Sequence, residues 1–62
     1  MSLSQDMLRY RAANRLSQEK LAHLCGVSLQ TINSVENGTQ SPSKVTEEKI
    51  KLVIYKKEEA ND

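Results

Sequence analysis

The side chains best suited to catalysis or metal binding are the single histidine, His23, and the single cysteine, Cys25, with Glu19 one helical turn before His23. These three groups do not form a closed ligand set, because a zinc site needs about four ligands. One histidine and two glycines also cannot supply a Ser/His/Asp or Cys/His group, or a glycine-rich phosphate loop. We therefore predict no enzyme activity, no metal and no cofactor, and we interpret Cys25 as a core residue rather than a redox centre.

The apolar residues of the segment 18–37 indicate two consecutive helices. Leu21 and Cys25 are four residues apart, and Ile32 and Val35 are three residues apart. Spacings of three and four place side chains on one face of a helix. The segment therefore predicts two amphipathic helices with a short connection between them.

Three small or polar residues at defined offsets indicate how these two helices are joined. Gly26 stands where the chain must pass through a left-handed conformation, and Ser28 offers an N-cap oxygen to the next helix. Ala22 is small enough to let the second helix cross closely at Ile32. An ordinary helical hairpin would need the apolar spacing but not all three of these residues together, so we favour a helix-turn-helix unit.

The motif and its flanks together resemble a known protein family. Arg11 precedes the run Leu16-Ser17-Gln18-Glu19-Lys20-Leu21-Ala22, and Glu36-Asn37-Gly38 leads to Ser41-Pro42-Ser43. In these features the chain resembles the lambda-repressor-like, or Cro-type, helix-turn-helix proteins of phages and bacteria, over about residues 8–54. The resemblance implies a compact all-α bundle of four to five helices around a central helix-turn-helix. In that family a glycine often precedes the leucine, where this chain has Arg15.

The first two helices have recognisable ends. We expect the first helix to start near the N-cap Ser4 and to run to about Ala13, with Asn14 in the left-handed position at its end. We expect Ser17 to cap the second helix, which ends at residue 25 or at Gly26.

The second half of the chain contains one helix and one ambiguous segment. The third helix should span about residues 29–36, followed by a loop over 39–43, where Pro42 disfavours helix at the preceding residue. Thr46 can cap a last helix, although residues 50–55 are also rich in strand-favouring types and could form a dimerising strand. We favour the helix because the capping signals agree with the apolar periodicity.

Length and composition set the general class of protein. A single domain of 62 residues buries only about 60% of its unfolded surface, so its core is marginal and dimerisation would help it. We expect residues 60–62 to fray. The chain has no apolar run of about 20 residues and no signal peptide, so a soluble cytoplasmic protein without a membrane contact is expected. The net charge of +1 is weak for a nucleic-acid binder, but the basic surplus lies before residue 47.

The third helix is the predicted DNA-recognition helix. Such a helix fits the major groove with its N-terminal residues nearest the base edges. Gln30 can bond bidentately to adenine and Leu29 can contact a thymine methyl group, which predicts A·T pairs at those steps. The alternative is a merely solvated polar face, which the absence of Lys and Arg from this helix supports. The predicted base-contacting residues are Ser28, Leu29, Gln30, Asn33 and Ser34.

Phosphate contacts are expected beside this helix. The start of the second helix can dock against a phosphate through its free N–H groups and its dipole, which places Gln18 at the backbone. The family resemblance implies the same role for Gln18, and it places the residues after the third helix on the side that grips the backbone. The predicted phosphate-contacting residues are Gln18, Thr31, Asn37, Thr39 and Lys44.

The resemblance also implies a structural salt bridge between Arg11 and Glu36. A carboxylate at a helix C-terminus is opposed by the helix dipole, so an arginine partner would offset its placement. The alternative is two independent solvated charges.

These features together predict a transcriptional regulator that binds a pseudo-palindromic operator in double-stranded DNA as a homodimer. Two-fold pairing would place two recognition helices about 34 Å apart, in successive major grooves. Leu52 and Tyr55 point away from the apolar face of the last helix and are the predicted dimer contact. No small-molecule ligand is expected, since the chain has no room for a separate ligand-binding domain. The alternative function is a protein-interaction module, such as an antitoxin-like or adaptor protein.

Overall fold

Residues 2–55 of the chain fold into four α-helices. The structure is a computed structural model that describes residues 2–55, and the predicted frayed tail at 60–62 lies outside these residues. The helices are α1 (Leu3–Asn14), α2 (Gln18–Cys25), α3 (Leu29–Asn37) and α4 (Lys44–Ile54). No strand occurs within residues 2–55, and the predicted all-α helical bundle is confirmed.

A serine caps the N-terminus of every one of these helices. In each case the serine Oγ accepts a hydrogen bond from the backbone N–H three residues later, which satisfies one donor that the first helical turn leaves free. The four caps are Ser2, Ser17, Ser28 and Ser43. Each cap of this kind stabilises its helix by about 1 kcal/mol.

Two of these caps differ from the predicted ones. The predicted cap Ser4 lies inside the first turn of α1, because Ser2 already accepts the N–H of Gln5 at 3.2 Å. The predicted cap Thr46 likewise lies inside α4, and its own backbone N–H donates to Ser43 Oγ at 3.2 Å. Both helices therefore begin earlier than predicted, because in each case a serine nearer the N-terminus is the N-cap.

The end of α1 also differs from the prediction. Asn14 remains helical and its side chain donates to the carbonyl of Tyr10 at 2.9 Å, so it is not the left-handed residue. Arg15 takes that conformation instead, with a φ of 55°. The helix continues one residue further than predicted, and the left-handed turn then directs Leu16 toward the core.

Gly26 and Gly38 end α2 and α3 in the left-handed conformation that the sequence predicts for Gly26. Their φ angles are 72° and 73°. A Cβ atom added to either glycine would meet no other atom within 4 Å. Both positions therefore favour glycine because of the backbone conformation and not because space is short.

The core contains at least one fully buried side chain from each helix. Met7, Leu21, Ile32 and Ile50 are completely shielded from solvent, one from each of α1 to α4. Burying a side chain of this size contributes about 1.5–3 kcal/mol. The smaller residues Ala22, Cys25 and Val35 complete the buried cluster, which agrees with the interpretation of Cys25 as a core residue.

The last segment is helical up to Ile54, so the alternative of a strand over 50–55 is wrong for the described residues. Ile50 faces the core, whereas Leu52 is 73% exposed on the opposite side of α4. Between residues 2 and 55, none of the helices is long and apolar enough to cross a membrane.

Candidate nucleic-acid interface

The turn between α2 and α3 fixes the angle at which α3 leaves the domain. Gly26 and Val27 close the turn by donating backbone hydrogen bonds to His23 and Ala22, at 3.2 and 3.0 Å. Ile32 of α3 is fully buried in the cluster that also contains Ala22. One side of α3 is therefore held by the core, and the other side is left at the surface.

Most of the predicted base-contacting residues lie on that outer side of α3. Ser28, Leu29, Gln30 and Asn33 are exposed. Ser34 is instead half-buried, because it lines a small cleft of about 150 Å³ against the loop that leads to α4. Its carbonyl accepts the backbone N–H of Thr39 at 3.1 Å. The exposed members of the predicted set are thus the cap Ser28 and, on the outer face of α3, Leu29, Gln30 and Asn33.

A chain of amide hydrogen bonds runs across the start of α2 and along α3. Gln18 Nε2 donates to Glu36 Oε1 at 2.9 Å, and Gln18 Oε1 accepts from Asn33 Nδ2 at 3.2 Å. Asn33 Oδ1 in turn accepts from Asn37 Nδ2 at 3.0 Å. Sequence reasoning missed this network, although the spacing of four between Asn33 and Asn37 is the usual signal for a side-chain pair on one helix face.

Glu36 is also the partner of Arg11. Arg11 Nε donates to Glu36 Oε2 at 2.8 Å and Arg11 Nη2 donates to Glu36 Oε1 at 2.9 Å. The side chain of Glu36 is 3% exposed and that of Arg11 is 21% exposed. The hydrogen bond to Glu36 raises the pKa of the Arg11 guanidinium above its ordinary value.

The guanidinium of Arg11 has a third contact. Arg11 Nη1 donates to the carbonyl of Leu16 at 3.2 Å. One arginine thus joins α1, the connection to α2 and the C-terminal end of α3. Such a planar, bidentate contact with a carboxylate has both geometric specificity and strength.

The predicted phosphate-contacting residues lie at both ends of α3 and at the start of its neighbours. Asn37, Thr39 and Lys44 are exposed, and Lys44 is the first residue of α4. Thr31 is half-buried, with its hydroxyl 2.8 Å from that of the cap Ser28. Gln18 is half-buried as well, because its amide group is held by Glu36 and Asn33.

The predicted dimer residues lie on the outer side of α4. Leu52 and Tyr55 line an open, largely apolar cleft of about 410 Å³ together with Glu48 and Lys51. The hydroxyl of Tyr55 also donates to the carboxylate of Asp6 on α1. That hydrogen bond raises the pKa of Tyr55 above its usual value.

Comparison with known protein families agrees with this geometry. A helix-turn-helix family model matches residues 7–50. The chain belongs to the lambda-repressor/Cro-like helix-turn-helix family. The matched span of this helix-turn-helix domain begins at the buried Met7 and ends at the buried Ile50, so it includes α2, α3 and the whole amide chain.

Family membership identifies the helix-turn-helix domain as a DNA-binding regulator from a family that is not enzymatic. No curated protein and no solved structure gave a match to the chain.

Proposed function

We propose that this helix-turn-helix domain is a sequence-specific transcriptional repressor that places α3 in the major groove of double-stranded DNA. The observation that carries the proposal is the outer face of α3, which is exposed while its inner face is locked into the core by Ile32 and Val35. The nine residues of α3 are about 13 Å long. With its side chains an α-helix is about 10–12 Å across, so α3 can enter the major groove, which is about 12 Å wide. A DNA partner also implies a cytoplasmic or nucleoid location.

Two residues at the start of α3 support direct contact with bases. Leu29 is 47% exposed, which leaves an apolar surface that suits a thymine methyl group. The side-chain amide of Gln30 is exposed and has no hydrogen-bond partner within residues 2–55, so both its donor and its acceptor are available for the edge of adenine. We therefore propose A·T pairs at the steps that these two residues contact, with Ser28, Asn33 and Ser34 as adaptable neighbours.

Contacts with the DNA backbone would surround this face. The free N–H groups at the start of α2 and the second N–H of the Gln18 amide can bind one phosphate. Thr31, Asn37, Thr39 and Lys44 would bind others near the ends of α3. Only Lys44 among these residues is charged, so the affinity should decrease less steeply with salt than for a strongly basic DNA-binding protein.

A second copy of the chain is part of the proposal. One α3 would contact only a few base pairs, whereas a two-fold dimer presents two recognition helices about 34 Å apart to a pseudo-palindromic operator. Leu52, which is 73% exposed, and the neighbouring ring of Tyr55 are the proposed dimer contact. Leu52→Glu should therefore produce a monomer in sedimentation at a concentration where the parent chain is a dimer.

Selection from a pool of random duplex DNA tests the proposed function. The parent chain should enrich one symmetric sequence, and Gln30→Ala should lose discrimination at one base pair in each half-site. Gln5→Ala is the matched control, because Gln5 is an exposed glutamine that lies on α1 and not on α3. Binding that is equally tight to every sequence and disappears with added salt would contradict the proposal.

A protein-interaction module, such as an antitoxin-like or adaptor protein, is the second candidate. It is favoured by the absence of any Lys or Arg from α3 and by the exposed Leu29. This function would leave the random pool unenriched and would instead give a stoichiometric complex with a partner protein that Leu29→Asp abolishes.

A further inference from the structure

The amide chain of the interface has a carboxylate at one end. Glu36 accepts two hydrogen bonds from Arg11 and one from the Gln18 amide. From Gln18 the chain continues to Asn33 and then to Asn37, each amide oxygen accepting from the next amide nitrogen. The Glu36 side chain is 3% exposed, so this end of the chain is shielded from water.

The chemistry of the Arg11–Glu36 pair gives the chain of hydrogen bonds one direction. An ionised carboxylate only accepts hydrogen bonds and a guanidinium only donates them. Gln18 must therefore turn its NH₂ group toward Glu36, which leaves its oxygen for Asn33. Asn33 must then turn its own NH₂ group toward Gln18, and its oxygen faces Asn37. If one amide were reversed, two donors or two acceptors would face each other.

We propose that Glu36 is a positioning residue, which acts through Gln18 to fix the orientation of the Asn33 amide and so makes Asn33 a specificity-determining residue for the base edge it contacts. This inference rests on the proposed function of α3 in the major groove. After its contacts within the chain, the exposed Asn33 amide retains one N–H and one oxygen lone pair. A donor and an acceptor side by side match N7 and the N6 amino group of adenine.

Gln18 would also connect backbone binding with base recognition. Its NH₂ group has two hydrogens, of which Glu36 takes one, so the second remains for a phosphate oxygen. The same side chain holds Asn33 through its oxygen. A phosphate bound at the start of α2 would thus strengthen the polarised chain that orients Asn33.

The orientation of Asn33 can be measured in the free protein. In the parent chain, the two protons of the Asn33 side-chain NH₂ group should have well-separated NMR shifts and a nuclear Overhauser contact with the Gln18 side chain. Gln18→Met preserves the length of the side chain and leaves the contact of Arg11 with Glu36 in place, but it removes the link to Asn33. The Asn33 shifts should change, whereas those of Asn14, which bonds to the Tyr10 carbonyl, should not.

The effect on DNA recognition is measured as binding to the site that the parent chain selects from random duplex DNA. Gln18→Met should reduce discrimination against a changed base at one A·T pair in each half-site by about tenfold, the scale of one base-edge contact. Asn33→Ala should reduce it at the same pair. The double variant should be no less selective than Asn33→Ala alone, because Gln18 acts through Asn33.

The possible outcomes separate this inference from the proposed function. If Gln18→Met lowers affinity equally for all sequences, Gln18 is only a phosphate contact, and the inference fails while the function stands. A freely rotating Asn33 amide in the parent chain also overturns the inference, whether or not the variants fold. If the parent chain enriches no sequence, the proposed function fails and the inference fails with it.

Discussion

Replacing Arg11 by methionine should destabilise the domain far more than removing an ordinary surface arginine. Glu36 accepts three hydrogen bonds in the folded chain, and two of them come from Arg11. Arg11→Met leaves the Glu36 carboxylate, whose side chain is 3% exposed in the parent chain, with the hydrogen bond from Gln18 alone. It also removes the donor to the Leu16 carbonyl. The variant therefore contains a buried charge with most of its partners missing.

The size of the effect follows from the burial of the pair. Removing one partner of a buried ion pair destabilises a protein by about 3–5 kcal/mol, and the partial exposure of Arg11 favours the lower end, about 3 kcal/mol. A domain of this length has a total stability of roughly 3–9 kcal/mol. The melting temperature should decrease by about 12–24 °C, at about 4–8 °C for each kcal/mol.

Urea titration followed by far-ultraviolet circular dichroism measures this loss, and the chain contains a matched control. Lys51 and Glu47 form an ion pair at 3.1 Å on α4, but their side chains are 46% and 37% exposed. Lys51→Met should therefore change the free energy of unfolding by only about 0.5 kcal/mol or less. Similar losses in Arg11→Met and Lys51→Met would refute the reasoning.

A second-site change tests the cause of the loss. In the double variant with Arg11→Met and Glu36→Leu, the buried charge is gone, so most of the stability should return, because apolar replacement of a buried ion pair is often close to neutral. If the double variant is as unstable as Arg11→Met, lost packing around Arg11 is the cause instead.

Four further substitutions test three features of the fold, all by denaturant titration. Arg15→Gly should raise the free energy of unfolding by about 0.5–1 kcal/mol, because glycine adopts a φ of 55° without strain, and a loss would contradict this. Ser43→Ala should lower it by about 1 kcal/mol and Thr46→Ala by less, whereas the reverse order would make Thr46 the cap. Tyr55→Phe removes the hydrogen bond to Asp6. This bond raises the pKa of Tyr55 in the folded chain. Its contribution to the free energy of unfolding is therefore present below about pH 10, the ordinary pKa of tyrosine, and is lost as the pH rises through the higher pKa of the folded chain. If the difference in free energy of unfolding between Tyr55→Phe and the parent chain grew at alkaline pH, it would contradict a stabilising hydrogen bond from Tyr55 to Asp6.

The helix-turn-helix unit could be predicted from the sequence because its signals are local. Gly26, Ser28 and the apolar spacing on either side act within a few residues of each other. Each of these residues has the predicted position in the structure, at the end of α2, at the start of α3 and in the core. The family match over residues 7–50 includes all of these residues.

The helix ends outside the unit were harder to predict because neighbouring residues compete for the same role. Ser2 and Ser4 are both good N-caps, and the sequence alone does not decide which one begins α1. At the other end Asn14 has the better intrinsic preference for a left-handed conformation, yet Arg15 adopts it. Leu16, which follows this position, packs on the core, and that packing involves residues that are distant in sequence.

The amide chain could not be predicted because it depends on the relative placement of α2 and α3. Gln18 and Glu36 are 18 residues apart, and their contact requires the start of one helix to meet the end of the other. The sequence suggested phosphate binding for Gln18 because the free N–H groups and the dipole at a helix start favour an anion. It did not indicate that the Gln18 amide is half-buried between two side chains of α3.

The use of Arg11 inside the domain bears on how the protein would bind DNA. Arg11 is directed at Glu36 and Leu16, so one of the few basic groups near the motif is not available to a phosphate. The exposed face of α3 carries no positive charge to replace it. Nonspecific attraction to the DNA backbone should therefore be weak, because that attraction depends on the number of phosphates neutralised. Affinity would then have to come from oriented amides, the apolar contact of Leu29 and the symmetry of a dimer. These contributions all depend on the DNA sequence, so a neutral recognition helix would favour specificity over total affinity.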